Sequence, residues 1–151
     1  MSTTAHYYEM SVNWQSDRKG LMTSPELTAS IEVATPPQFP KGIEGIWSPE
    51  HLFVAAINSC LMTTFLSIAE NSKLEFTNFS SRAHGKLEIV DGKYMMSEVT
   101  LMPVVHITDP QQKDRAERVL QKSEANCLIS NSVKSTIVFK PEIIVNSTSL
   151  V

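Results

Sequence analysis

The stretch SPEHLFVAAINSCLMTTFLSIAEN, residues 48–71, decides the fold. It predicts one long helix, because Ser48 can cap the free amides, Pro49 suits the first helical position and Glu50 favours the positive end of the helix dipole. Its apolar residues point in every direction, which predicts a helix that is buried on all sides. A chain of 151 residues can hardly surround such a helix alone, so we expect a partner subunit to cover part of it.

Strands are predicted on the N-terminal side of this helix. Apolar and polar residues alternate over residues 8–14, and a turn is predicted over residues 16–20. A second alternating run over residues 27–33 predicts another strand of a meander. Prolines and glycines are concentrated in residues 36–45, which predicts an irregular loop before the helix.

A β-hairpin is predicted on the C-terminal side, where residues 79–90 and 93–107 flank the turn signal Asp-Gly. Pro103 lies inside the second run and favours an edge strand or a bulge there. A second helix is predicted from residue 109 to about 123, and a closing strand over residues 135–145. These elements predict an α+β protein with a single domain over residues 1–151, built of antiparallel sheets around a long buried central helix.

Composition and charge exclude several classes of partner. The net charge of −3 comes from 13 basic and 16 acidic side chains, and the basic ones are scattered along the chain. This pattern argues against a nucleic-acid or anionic-membrane surface. The N-terminus lacks the basic start and apolar run of a signal peptide, and the unbroken apolar stretch over residues 52–57 is too short to cross a bilayer. We therefore expect a cytoplasmic protein.

Only two cysteines occur, Cys60 and Cys127. A reducing compartment disfavours a structural disulfide, so the pair is reactive, metal-binding or simply buried. The CxxC and HxxxH spacings of zinc sites are absent, and we expect no metal site. Two inert core thiols in a structural protein remain an alternative.

Cys60 lies well inside the predicted helix, where the helix dipole gives little help and burial raises the pKa of a thiol. If Cys60 reacts, a nearby cation must favour its thiolate. Arg18 lies in the predicted turn and can fold over a pocket, and Glu50 could anchor its guanidinium. The alternative is that Arg18 is a solvated charge and that Glu50 only caps the helix.

The segment Ser48-Pro-Glu-His-Leu-Phe-Val-Ala-Ala-Ile-Asn-Ser-Cys60 resembles the helix signature of the OsmC/Ohr family (osmotically inducible protein C and organic hydroperoxide resistance protein). Asn126-Cys-Leu-Ile-Ser-Asn-Ser-Val-Lys134 resembles the second family motif, a cysteine after a helix followed by a serine-containing turn. The order and spacing of elements match over nearly the whole chain. Many members have proline after the second cysteine, where this chain has Leu128.

The resemblance implies an intertwined homodimer with two sites at the subunit interface, and a peroxidase that needs no metal, flavin or haem. By this likeness Cys60 attacks an organic hydroperoxide and becomes a sulfenic acid, and Cys127 then forms a disulfide with it. Arg18 lies in the loop that carries the activating arginine in the organic-hydroperoxide branch, and Glu50 matches the glutamate that holds this arginine. An external dithiol, such as a protein-bound lipoyl group, would reduce the disulfide. The alternative is a redox sensor or small-ligand-binding protein on the same scaffold.

Overall fold

The computed structural model describes residues 4–146 and divides into two compact units, one ending at Leu52 and the other beginning at Phe53. The first unit contains an antiparallel sheet in the order β1-β2-β3, formed by β1 (Ser11–Ser16), β2 (Lys19–Thr23) and β3 (Ile31–Ala34). The single-domain organisation stays a prediction.

The sheet of the first unit differs in part from the expected meander. The strand predicted over residues 8–14 corresponds to β1, which begins and ends further along the chain. Of the strand predicted over residues 27–33, only the last residues form a strand, β3. β2 was not predicted, because its five residues are too few to show a clear alternation.

The loop after β3 is irregular, as its prolines and glycines predict. A backbone bond from Ala34 N to Trp47 O (2.8 Å) ties its end to β3, and one from Ile43 N to Thr35 O (2.9 Å) closes the loop on itself. Gly42 is required here, because a Cβ at this position would collide with the carbonyl oxygen of Pro36. The loop leads directly into the long helix.

That helix, α1, spans Pro49–Asn71, as predicted. The second unit also contains a hairpin of β4 (Asn78–Val90) and β5 (Lys93–Ile107), then α2 (Lys113–Ala125), β6 (Thr136–Phe139) and β7 (Glu142–Val145). The hairpin turn is the predicted one, and both of its residues have positive φ, 51° at Asp91 and 79° at Gly92. The α+β class is confirmed.

The sheet of the second unit contains parallel and antiparallel pairs. Its pairing corrects the expected edge position of Pro103 and the expected single closing strand. β6 and β7 both pair parallel with β5, which is therefore the central strand rather than an edge. Pro103 is tolerated because it lies between the stretches of β5 that pair with β6 and with β7. The single closing strand expected over residues 135–145 is divided at Lys140 and Pro141.

The core lies between α1, α2 and one face of β5. Alternate residues of β5 point to this face and are buried: Val99, Leu101, Pro103, Val105 and Ile107. α1 packs here through one stripe, and its buried residues are Ile57, Cys60, Leu61, Phe65 and Ala69. Five of 23 residues is far less than the expected burial on all sides, so one chain covers only part of α1.

By length and composition alone α1 could also cross a membrane, but core helices of soluble proteins pass the same test.

Candidate functional site

The position of Cys60 is set by the packing of α1 against β4. Asn58 Nδ2 donates to the carbonyl oxygen of Ser81 in β4 (2.9 Å), and the Ser81 hydroxyl donates back to Asn58 Oδ1 (2.6 Å). α1 also approaches β4 closely at Gly85, where a Cβ would collide with the side chain of Val54 in α1. These contacts fix the rotation of the helix, and Cys60 consequently lies at the edge of the core with 9% of its surface exposed.

Cys127 follows the end of α2 and is fully buried. Its thiol donates to the carbonyl oxygen of Ile57 in α1 over 3.9 Å, in the helical turn that precedes Cys60. Its own carbonyl accepts a bond from Asn131 N (3.0 Å), which closes the turn after the cysteine. Cys60 and Cys127 are thus brought together, and both are free thiols.

The environment of Cys60 favours its thiolate. Burial raises the pKa of the Cys60 thiol, but hydrogen bonds outweigh this effect and hold the pKa below its usual value. The donors, in decreasing order of effect, are the backbone of Ile129, the thiol of Cys127, the hydroxyl of Thr64 and the backbone of Leu128. Thr64 Oγ1 lies 3.8 Å from Cys60 Sγ, one helical turn further along α1.

The environment of Cys127 has the opposite effect. Burial raises the pKa of the Cys127 thiol, and the neighbouring Cys60 adds to this increase by its charge. The hydroxyl and backbone of Ser130 lower the pKa but do not compensate, so it stays above its usual value. The pair therefore consists of a more acidic thiol at Cys60 and a less acidic one at Cys127.

Arg18 and Glu50 lie in the first unit, where they line one cavity of about 560 Å³ together with Trp14 and Phe39. Within residues 4–146 no ion pair joins Arg18 to Glu50, although the two share this cavity. The Arg18 backbone is held by a bond from Thr35 N to its carbonyl oxygen (3.2 Å). The roles of Arg18 as activating cation and of Glu50 as its anchor stay predictions.

Several polar groups around the thiols were not predicted from the sequence. Thr64 could have been found, because a side chain four residues after Cys60 lies on the same helix face. The Leu128 amide had an indirect signal, since a residue other than proline at this position carries an N–H. The Ile129 amide and the Ser130 hydroxyl gave none, because their effect depends on how the turn folds onto α1.

No group of three or more His, Cys, Asp or Glu side chains lies close enough to hold a metal ion anywhere in residues 4–146. Apart from each other, the two thiols are acted on by hydroxyls and backbone amides. This arrangement can stabilise a thiolate and bring a second thiol to it.

A long apolar helix with a cysteine, a mixed sheet and a second cysteine after α2 define the OsmC-like class of proteins. The sequence matches the family model described as OsmC-like protein over residues 40–142, and the chain belongs to this family. The uncharacterized protein YmaD of Bacillus subtilis is 23% identical over 145 residues, which cover 91% of this chain and 93% of YmaD.

Solved structures share the fold over nearly the whole chain. An OsmC-like protein of unknown function from Vibrio cholerae is 25% identical with a TM-score of 0.80, covering 91% of this chain and 99% of its own. The organic hydroperoxide resistance protein of Elizabethkingia anophelis is 20% identical with a TM-score of 0.76, covering 96% and 100%. OhrB, the organic hydroperoxide resistance protein of Bacillus subtilis, is 18% identical with a TM-score of 0.68, covering 91% and 98%.

Proposed function

We propose that this chain is a two-cysteine thiol peroxidase that reduces organic hydroperoxides to alcohols. The observation that supports it most is the pair of adjacent free thiols, in which Cys60 is the more acidic and Cys127 the less acidic. Family membership and the shared fold with two organic hydroperoxide resistance proteins favour the same substrate class.

The reaction proceeds in three balanced steps. The Cys60 thiolate attacks the distal oxygen of the hydroperoxide, the O–O bond breaks, and the departing alkoxide takes a proton to become an alcohol. The thiolate of Cys127 then attacks the sulfur of the Cys60 sulfenic acid, the S–O bond breaks as the disulfide forms, and the departing hydroxide takes a proton to become water. An external dithiol, such as a protein-bound lipoyl group, donates two electrons and two protons to restore both thiols.

Arg18 is proposed as the cation that assists the first step, and Glu50 as the residue that orients it. The cavity that they line also contains Val12, Trp14 and Phe39, and apolar walls of this kind suit an alkyl or fatty-acyl group better than hydrogen peroxide.

A cytoplasmic homodimer is the proposed form of the protein. All six residues of β1 are exposed within this chain, and Trp14 among them is 78% exposed. α1 is likewise buried along one stripe only. Exposed apolar side chains, such as Val12 and Trp14 on β1 and the uncovered residues of α1, are typical of protein interfaces, and a second copy would cover them. Sedimentation at micromolar concentration should show a dimer, and a stable folded monomer there would rule the homodimer out.

The decisive experiment is intact mass measurement of the reduced protein before and after one equivalent of cumene hydroperoxide. We expect the loss of two hydrogens and the protection of both cysteines from a thiol-alkylating reagent. Repeated consumption of peroxide with dihydrolipoamide as reductant should follow. Oxidation without turnover would favour the redox-sensor alternative, and thiols that neither oxidise nor alkylate would indicate a structural role.

A further inference from the structure

The hydroxyl of Ser130 is buried without a hydrogen-bond partner. Ser130 begins a short 3₁₀ turn, is 8% exposed, and its Oγ makes no hydrogen bond within the part of the chain that the structure describes. Buried hydroxyls are nearly always paired, because leaving one unpaired is costly. An unpaired hydroxyl beside a reactive group therefore calls for a functional explanation.

The rest of this turn is well bonded. Asn131 Nδ2 donates to the carbonyl oxygen of Ala125 (3.2 Å), and the Ser132 hydroxyl donates to that of Leu128 (2.7 Å). The backbone of Asn131 also bonds to the Cys127 carbonyl (3.0 Å). The position of Ser130 is thus imposed by its neighbours, and its own hydroxyl is not needed to hold the turn.

The Ser130 hydroxyl lies three residues after Cys127 in the same turn and lowers the pKa of the Cys127 thiol, but it makes no hydrogen bond to the thiol. A thiol sulfur is a weak acceptor, whereas a thiolate accepts strongly. The thiol of Cys127 now donates to the Ile57 carbonyl, a bond that is lost when Cys127 gives up its proton. The sulfur then needs a donor, and Ser130 is placed to supply one.

We propose that Ser130 is the hydrogen-bond donor that stabilises the Cys127 thiolate during disulfide formation. The inference rests on the proposed function, whose second step needs this thiolate. In that step the S–S bond forms as the S–O bond of the Cys60 sulfenic acid breaks. Hydroxide leaves and combines with the proton released by Cys127, so water is the second product. Among described residues, the titratable group that acts on Cys127 is the Cys60 thiol, which is uncharged as the sulfenic acid.

The test compares Ser130→Ala with Ser132→Ala, which removes a hydroxyl from the same turn that bonds only to a backbone carbonyl. Reduced protein is mixed with one equivalent of cumene hydroperoxide and quenched over time, and sulfenic acid and disulfide are quantified by mass after trapping. Ser130→Ala should form the sulfenic acid within about twofold of the wild-type rate and close the disulfide about tenfold more slowly. Ser132→Ala should leave both rates unchanged, because the two bonds from Asn131 still hold the turn. An unchanged closing rate in Ser130→Ala would overturn the inference.

Thermal stability separates this role from a structural one. Because the hydroxyl has no partner, Ser130→Ala should melt at the wild-type temperature or above it. A clear fall in melting temperature would mean that the hydroxyl holds the fold, and the inference would be wrong.

A second measurement does not depend on peroxide chemistry. In a Cys60→Ser background, the ultraviolet absorbance of the thiolate reports the titration of Cys127 alone. Adding Ser130→Ala should move its midpoint to higher pH, because a donor to the thiolate is lost. If wild-type protein is not oxidised by peroxide, the proposed function fails while this titration still decides the role of Ser130. An unchanged midpoint would refute that role.

Discussion

The two pairs of predicted site residues lie in different surroundings. Cys60 and Cys127 lie in the second unit, where helix packing and the turn after α2 bring the thiols together without charged groups. Arg18 and Glu50 lie in the first unit, where they share an open cavity without pairing to each other. The comparison teaches that hydrogen bonds within the second unit lower the pKa of Cys60 without a charged group, while the role of Arg18 stays a prediction.

Substitution of the thiols should have the largest effect. Cys60→Ser is expected to lose all peroxide reduction, because a serine hydroxyl is not a comparable nucleophile at neutral pH. Cys127→Ser should still consume one equivalent of hydroperoxide and stop at the sulfenic acid or oxidise further. Intact mass and peroxide consumption measure both outcomes. Wild-type turnover in Cys60→Ser would show that the two roles are wrongly assigned.

Removal of the guanidinium should come next. A charge-assisted hydrogen bond contributes about 1.5–3 kcal/mol, so Arg18→Ala should slow oxidation of Cys60 about ten- to a hundredfold. Arg18→Lys should restore only part of the rate, because it keeps the positive charge but not the paired N–H donors of the guanidinium. Glu50→Ala should show a smaller loss in the same direction. The rate of Cys60 oxidation against pH is the measurement, and an unchanged profile in Arg18→Ala would transfer the role to Lys19 or Arg82.

The main features of the fold were predictable because they depend on local signals. The Ser48 hydroxyl, which accepts from His51 N, and Pro49 define where α1 begins, and an Asp-Gly turn defines the hairpin. The division of the closing strand and the central place of Pro103 were not predictable, because they depend on which strands pair with β5. The same holds for the site. Two motifs identify the cysteines, whereas the unpaired hydroxyl of Ser130 is visible only once the turn is folded.

The hydrogen bond from Thr64 sharpens the comparison further. Thr64→Val should raise the pKa of Cys60, because it removes a donor to the thiolate at 3.8 Å. A neutral hydrogen bond contributes about 0.5–1.5 kcal/mol, which corresponds to roughly two- to tenfold in rate. Below the midpoint of the thiol titration, oxidation should slow by this factor. Well above it, where both proteins are fully ionised, the rates should agree.

The neighbouring threonine provides a matched control for this experiment. Thr63 Oγ1 donates to the carbonyl oxygen of Cys60 (3.1 Å) rather than to its sulfur. Thr63→Val makes the same chemical change one residue away, and its pH profile should equal that of the wild type. Equal displacement of the two profiles would indicate a general effect on the helix instead of a bond to the thiol.

The smallest effect is expected at Leu128, where this chain departs from the proline common in its family. The Leu128 amide is a donor to Cys60, and within residues 4–146 it makes no bond to a backbone carbonyl. Leu128→Pro deletes this donor, while the side chain, 66% exposed, contributes little to the core. The pKa of Cys60 should therefore rise, and its oxidation at neutral pH should slow about two- to threefold, the lower end of the range for one neutral hydrogen bond. Leu128→Ala keeps the N–H and should behave as the wild type in the same titration.

If both variants lose activity equally, the side chain matters and not the amide. If neither does, the hydrogen bonds from Ile129 and Thr64 suffice to keep Cys60 acidic.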